Sequence, residues 1–385
     1  MELAGGVRWT DEARSLSVFD FQNDVDLTPF LPRSRVSSST FSPEATITYT
    51  PTDDLTVFGS YKKGFKSGSF SVATAPAAIR DPATGAIIGA SDNSFDDEYV
   101  EGYEIGVKSR LLDRSLLANV AFYDYRYKGL QVGGIEPTVG GVPIIRTVNA
   151  GKARTYGVDI DLTYRPPSVG GLDLNASVNW NRARYKELNN IPCYSGQTVT
   201  QGCTTFFAPF PATAAPGQPS QASPSPGAIV VGGLSGYNTG QDLSGTPMIR
   251  APEWTANFGF NYEMPVGKGM RVQFTNNNQI SSRFARFLAL GRPDEDNFQD
   301  GFIKIDASVA LKGEDDRWEV ALIGKNITDR LTASNCGASN LAGGLVLGSP
   351  ITGGTSSGQA GFAESGCYTD TGRSVWLRFT FRPQP

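Results

Sequence analysis

The sequence predicts an all-β protein: a transmembrane, antiparallel, up-and-down β-barrel with about 13 strands in this chain. Three observations predict it. Apolar and polar residues alternate in segment after segment. Short and long connections take turns along the chain. No helical stripe competes with the alternation. Successive side chains of a strand face opposite sides, so strict alternation makes one apolar and one polar face. A soluble sandwich alternates too, but has no reason to sort its connections by length. An outer-membrane barrel does sort them, with short periplasmic turns at one rim and long extracellular loops at the other. Closure also pairs every backbone group in lipid, which an open sheet does not.

The elements follow in order. A first strand is expected at 2–9. YEIGVKSR sets Tyr103, Ile105 and Val107 against Glu104, Gly106 and Lys108. LLANVAFYDYRY, 116–127, is ambiguous, because aromatic and small residues occupy both faces. TYGVDIDLTY opposes Tyr156, Val158, Ile160, Leu162 and Tyr164 to Thr155, Gly157, Asp159, Asp161 and Thr163. LDLNASVNW (172–180), WTANFGFNYE (254–263) and GFIKIDASVALKG (301–313) alternate in the same way, and SVWLRFTF (374–381) does so at the end.

Short turns built from turn-forming residues are expected near 10–14, 50–54, 110–114, 165–171, 264–269 and 312–316, as in TPTDD, RPPSVGG and KGEDD. Long connections are expected near 23–38, 66–96, 130–146, 188–251, 288–300 and 330–372. The last strand then ends at the periplasmic rim. The first, running into a short turn, would begin at the extracellular rim. Bacterial single-chain barrels are even-numbered with both ends periplasmic. The chain is therefore expected to be the C-terminal portion of a larger barrel.

Composition narrows the function. The 385 residues carry a net charge of −4, which gives no nucleic-acid footprint. There is no histidine, so the commonest general base and transition-metal ligand is missing. No Ser, His or Lys constellation supports catalysis, and no enzyme, cofactor or metal centre is expected. MELAGGVRWT has no basic or apolar region of a signal peptide, and no run reaches the roughly 20 apolar residues of a membrane helix. Cys193 with Cys203, and Cys336 with Cys367, sit in two long connections and read as two local disulfides made in an oxidising compartment. The alternative is four free thiols in a cytosolic chain.

Several stretches carry a family resemblance: GVRWT (6–10), YKKGFKSGSF (61–70), NAGKARTYGVDIDL (149–162), PEWTANFGFNY (252–262), GKNITDR (324–330) and the C-terminal aromatic strand ending at Phe381. In this order they resemble the barrel of TonB-dependent outer-membrane receptors, from about residue 2 to residue 382. The resemblance implies a barrel of about 22 strands with an N-terminal plug inside, of which residues 1–385 would be the C-terminal part without plug or TonB box. It implies uptake of a scarce, bulky ligand, often a ferric siderophore, energised by the TonB complex at the bacterial cell outer membrane. The rivals are a passive porin-like channel, whose lumen stays open, and a soluble or adhesive β-structural protein.

Local features take the plainer reading. GFKSGSF lacks the spacing of a nucleotide-binding loop and reads as a strand top bending into a loop. Asn326–Thr328 matches a glycosylation sequon but falls in an expected strand. Asp294, Glu295, Asp296 and Asp300 form a solvated acidic loop rather than an EF-hand. Asp159 and Asp161 are lumen-facing polar residues. The Pro/Ala/Ser-rich stretch 204–227 is either a flexible insert or a lid over the barrel mouth. Inward parity near the extracellular ends selects Lys62, Lys66, Asn181, Tyr185, Gln279 and Arg283 as candidate ligand contacts. Their Lys and Arg side chains suit an anionic ferric chelate. Haem is disfavoured without a histidine.

Overall fold

The structure is a computed structural model. It describes the chain outside residues 22, 73–74, 77, 82, 138–142, 190, 192–202, 210–228, 232–233, 268, 287–297, 314–315, 339–364 and 384–385. One antiparallel sheet of twelve strands dominates it, and each strand pairs only with its neighbours in sequence order. The strands are β1 (Glu2–Ser15), β2 (Arg35–Thr52), β3 (Leu55–Lys66), β4 (Glu98–Leu111), β5 (Leu116–Pro137) and β6 (Pro143–Tyr164). They continue as β7 (Leu172–Leu188), β8 (Trp254–Gly267), β9 (Met270–Ser281), β10 (Phe302–Lys312), β11 (Trp318–Lys325) and β12 (Ser374–Phe381). The edge strands β1 and β12 have one partner each.

Five expected short turns join consecutive strands at one rim: β2–β3, β4–β5, β6–β7, β8–β9 and β10–β11. The turn expected near 10–14 is absent. Thr10, Asp11, Glu12 and Ala13 instead stay paired with Thr40, Ser39, Ser38 and Ser37, so β1 runs unbroken to Ser15. The cross-strand ladder outweighs the local turn propensity of TDEAR. The count is therefore twelve against the expected thirteen, and β1 starts at the short-turn rim instead of the long-loop rim.

The long connections carry small antiparallel ribbons of their own, such as Phe19–Asp20 with Val25–Asp26 and Ala78–Arg80 with Ile87–Ala90. Residues 130–137 and 143–146 continue β5 and β6, so this hairpin projects beyond its neighbours at the long-loop rim. Cys336 and Cys367 form a disulfide across the ribbon of Ala333–Ala338 with Ser365–Thr369. Cys193 and the side chain of Cys203 lie outside the described residues.

Register decides the faces. Directly opposed residues run Leu3, Ile47, Gly59, Ile105, Phe122, Val158, Trp180 and Trp254 across β1 to β8. Phe274, Val309, Leu322 and Leu377 continue the apolar face through β9 to β12. These side chains are not a core: Leu377 is 76% exposed and Phe379 68%. A soluble monomer does not present an apolar sheet face of this extent to water. On the opposite face Thr46, Ser60, Glu104, Tyr123, Gly157 and Asn181 oppose one another in turn.

The ambiguity of strand 116–127 is resolved by the same register. Val120 and Phe122 share the apolar outward face, and Tyr123, Tyr125 and Tyr127 point inward. The outward positions then become charged at Asp124, Arg126 and Lys128 as β5 nears the long-loop rim. A strand whose outward face changes character along its length shows no simple alternation.

The inward face holds a small buried cluster near the long-loop rim: Leu130, Ala153, Tyr185, Leu188 and Ile191, with Leu243 and Met248 packed against it.

Candidate functional site

The inward surface at the long-loop half is built from three kinds of device. The first is a polar network across β5, β6 and β7. Tyr123 Oη donates to Asn181 Oδ1 at 3.2 Å, and Thr155 Oγ1 donates to the same oxygen at 2.7 Å. Asn179 Nδ2 donates to Tyr123 Oη at 3.1 Å and also to Asp159. Gly157 makes this possible, because a Cβ there would lie 2.6 Å from Tyr123 Oη. The Trp180 carbonyl and the Tyr123 ring occupy the space a side chain would need.

The second device is a clamp that fastens the 67–97 connection to the β5–β6 hairpin. Asn149 Nδ2 donates to the carbonyls of Asp96 (2.7 Å) and Gly129 (2.9 Å), and Asn149 Oδ1 accepts from the Asp96 N–H at 2.6 Å. Gly129, with φ +67°, sits where the β5–β6 register shifts. Its missing Cβ would fall 2.8 Å from the Asp97 carbonyl oxygen. Gln131 Nε2 donates to the carbonyls of Lys66 (3.3 Å), Ser67 (3.1 Å) and Asp96 (3.0 Å). The Asp97 carboxylate accepts from the Gly68 N–H (2.8 Å), Tyr99 Oη (3.0 Å) and Ser38 Oγ. A glycine-assisted bulge and two amide side chains thus replace regular pairing where β3 and β4 stop and β5 and β6 continue.

The third device is the turn after β11. Lys325 Nζ pairs with Asp306 at 2.6 Å, and the same carboxylate accepts the Asn326 N–H at 2.8 Å. Asn326, with φ +47°, donates its amide to the carbonyls of Arg330 (3.0 Å) and Thr371 (3.3 Å). From Asn326 onward the GKNITDR stretch is therefore a turn, not the expected strand continuation. Asn326 is 7% exposed with its amide engaged, so the sequon is not an accessible acceptor.

The six candidate contacts are distributed, not converged. Lys62 and Lys66 lie on β3, and Asn181 on β7. Lys62 is exposed on the wall of an inward hollow of ≈ 570 Å³ that Glu104, Lys108, Asp159 and Asp161 also line. Lys66 lines a hollow of ≈ 320 Å³ with Arg14, Ser67, Gln131 and Thr147. Gln279 is exposed on β9 opposite Lys304. Arg283 stacks over Phe298 at 4.3 Å and faces Asp300 at 3.9 Å. Tyr185 points inward as parity requires but is 4% exposed, because the chain at 243–248 folds over it; its N–H donates to the Thr246 carbonyl at 3.0 Å. Its ring has no surface for a ligand. Arg14 and Gln131 were not selected from the sequence. Arg14 falls in the stretch read as a turn, and Gln131 in one read as a loop, so neither had a readable parity.

Among the described residues no group of three or more His, Cys, Asp or Glu side chains could hold a metal ion. Asp294, Glu295 and Asp296 lie outside the described residues. No helix is long and apolar enough to cross a membrane, which says nothing of a β-barrel.

Comparison with known proteins places this architecture. Over 98% of its length the chain is similar to the ferric yersiniabactin uptake receptor FyuA from Yersinia pestis (TM-score 0.58, 13% identity, 42% of that chain). It is similar over the same share to the siderophore receptor PiuA from Acinetobacter baumannii (TM-score 0.57, 15% identity, 40% of that chain). The copper transporter OprC is likewise similar, with a TM-score of 0.54 at 12% identity over 98% of this chain and 45% of that one. The chain thus spans less than half the length of the solved receptors it matches, and at these identities the likeness is one of fold. No curated protein sequence matches. The family model for TonB-dependent receptor-like β-barrels matches residues 2–334, so the chain belongs to the TonB-dependent receptor β-barrel family.

Proposed function

We propose that this chain forms the barrel wall of an outer-membrane receptor that takes up a ferric siderophore or a similar metal chelate, energised by TonB. One observation carries the reading: in a chain of this family, a sheet with an apolar outward face has a polar inward face, and a hollow at its long-loop rim is lined by Lys66 and by Arg14, which also pairs with Glu12 at 2.6 Å. Lys62, Lys66, Asn181, Gln279 and Arg283 would present to the ligand, joined by Arg14 beside Lys66. Cations there suit an anionic chelate, since charge-assisted hydrogen bonds to its oxygens are the strong ones. The neighbours support a metal-chelate ligand without choosing one, because they include both ferric siderophore receptors and a copper transporter. The role is binding and passage, with no covalent chemistry.

The test is uptake of radio-iron-loaded siderophores by cells carrying the full-length receptor, with and without functional TonB. Saturable uptake that disappears without TonB is the expected result. Uptake that persists without TonB and rises linearly with ligand supports the passive channel. Recovery of the chain in the soluble fraction removes the receptor reading altogether.

A further inference from the structure

The connection between β11 and β12 is held to the sheet at its root and joined to itself by sulfur. Ala333–Ala338 pairs antiparallel with Ser365–Thr369, and Cys336 stands directly opposite Cys367, to which it is disulfide-bonded. At the root, Thr332 donates its N–H (2.7 Å) and its Oγ1 hydroxyl (2.8 Å) to the Asp370 carboxylate. Lys304 of β10 donates to Thr332 Oγ1 at 2.8 Å and pairs with Asp370. The Ala333 N–H donates to Gln299 Oε1 at 2.9 Å, which ties this ribbon to the pair formed by Phe284–Ala285 and Phe298–Gln299.

The two sulfurs are not equivalent. Arg286, one residue beyond Phe284–Ala285, donates through Nη1 to Cys367 Sγ at 3.7 Å. Among the described residues no hydrogen-bond donor reaches Cys336 Sγ. The described carboxylate nearest Cys367 along the chain, Asp370, is taken by Lys304 and Thr332. Both cysteines are half-buried, and Tyr368 beside Cys367 is 81% exposed, so solvent reaches this part of the ribbon.

A disulfide opens when a thiolate attacks one sulfur and the other leaves as a thiolate. The sulfur whose thiol has the lower pKa leaves faster. A guanidinium beside a sulfur stabilises its thiolate. Arg286 therefore makes Cys367 the better leaving group and directs attack to Cys336.

We propose that the Cys336–Cys367 disulfide is a site of S-thiolation, opened by a low-molecular-weight thiol that attacks Cys336 and expels Cys367 as a thiolate beside Arg286. The incoming thiol loses its proton to solvent before it attacks. A bond forms between its sulfur and Cys336 Sγ while the bond between the two cysteines breaks. The electron pair of the broken bond stays on Cys367 Sγ. The incoming sulfur is oxidised to the disulfide level and Cys367 is reduced, so the step needs no other oxidant. The product carries a mixed disulfide at Cys336 and a thiolate at Cys367. The ribbon then keeps its backbone pairing and its root at Thr332 and Asp370, but loses its covalent cross-link. Under the outer-membrane reading this connection lies on the extracellular side, where a thiol from outside the cell meets it first. That location rests on the reading above; the sulfur chemistry does not.

The test is a short pulse of glutathione on the full chain purified in nonionic detergent. N-ethylmaleimide stops the reaction, and the digested chain is mapped by mass spectrometry. Glutathione marks the cysteine that was attacked, and maleimide marks the one that left. Glutathione on Cys336 with maleimide on Cys367 should exceed the reverse product at least about tenfold. Arg286→Met should bring the two products within about twofold of each other, and Arg286→Lys, which keeps a cation, should restore the preference. Arg373→Met removes a cation of the same connection that faces Asp329 at 3.7 Å, and should leave the ratio unchanged. Maleimide labelling before the pulse verifies the disulfide in each variant. Should Arg286→Met not form it, the wild-type product ratio still decides. Equal products in the wild-type chain, or glutathione on Cys367, overturn the proposal. So does an Arg286→Met chain with its disulfide intact that keeps the wild-type ratio. Recovery of the chain in the soluble fraction would strike at the membrane reading instead and leave the product ratio standing.

Discussion

Phe258→Arg and Asn257→Arg place the same charge on adjacent residues of β8 that face opposite sides. The outward positions of β8 are Trp254, Ala256, Phe258, Phe260, Tyr262 and Met264. Alternate residues of a strand are about 6.7 Å apart, and a tilt of about 40° shortens that to about 5 Å along the barrel axis. The six positions therefore span about 26 Å, close to the roughly 25 Å apolar band of such barrels. Phe258 lies near its middle, between Trp254 and Tyr262 towards the two interfaces. An arginine at the bilayer midplane costs about 2–4 kcal/mol. Asn257 is exposed on the inward face opposite Ser177 and Gln279, where an arginine costs within about 0.5 kcal/mol. The hydrogen bond that the Asn278 side chain donates to Phe258, at 3.0 Å, goes to the backbone carbonyl, which both variants keep. Urea unfolding of the chain in lipid vesicles, followed by tryptophan fluorescence, reads the difference as a change in midpoint. A gap of at least about 2 kcal/mol is expected. Equal destabilisation of the two variants would mean that the apolar side faces protein or water, and the assignment of faces would fall with it.

Other outcomes follow from the same structure. Gly157→Val should cost about 1–3 kcal/mol by crowding the Trp180 backbone carbonyl and forcing Tyr123 from its network, while Gly133→Val, with open space around it, should cost little by the same unfolding assay. Cys336→Ser with Cys367→Ser frees a loop of 31 residues' separation, worth up to about 3.7 kcal/mol of chain entropy; limited proteolysis should nick the 326–373 connection faster while the sheet's urea midpoint stays put. The Asp316 carboxyl, in the β10–β11 turn, is held below the usual carboxylate range by the hydrogen bond from Arg271 at 2.6 Å. Its folded pKa is lowered, so its contribution is complete above about pH 4 and is lost as pH falls through the folded value. Acid destabilisation below about pH 4 should therefore be smaller in Asp316→Asn than in the parent chain.

Much of this was legible in the residues. The β10 and β8 stretches name their faces by strict alternation, because a period of two admits one register relative to a buried side. Five of the six short turns were readable because Pro, Gly and Asp specify local backbone geometry. The sixth, at 10–14, was misread for the converse reason: its residues permit a turn but do not demand one, and the ladder with 37–40 settled the matter. Parity placed Lys62, Lys66 and Gln279 on the inward face, yet it could not show that Tyr185 is roofed by a segment about sixty residues away.

By itself the sequence determined the fold class, the two faces and the rim at which the long connections lie, since these depend on each residue's immediate neighbours along the strand. Only the tertiary structure decided what stands beside what. The row Lys63, Glu101, Arg126, Arg154 and Arg184 is assembled from five strands, and the Asn149 and Gln131 clamps close onto a different connection. Such neighbours are fixed by hydrogen-bond register between strands, a long-range property that no local pattern encodes.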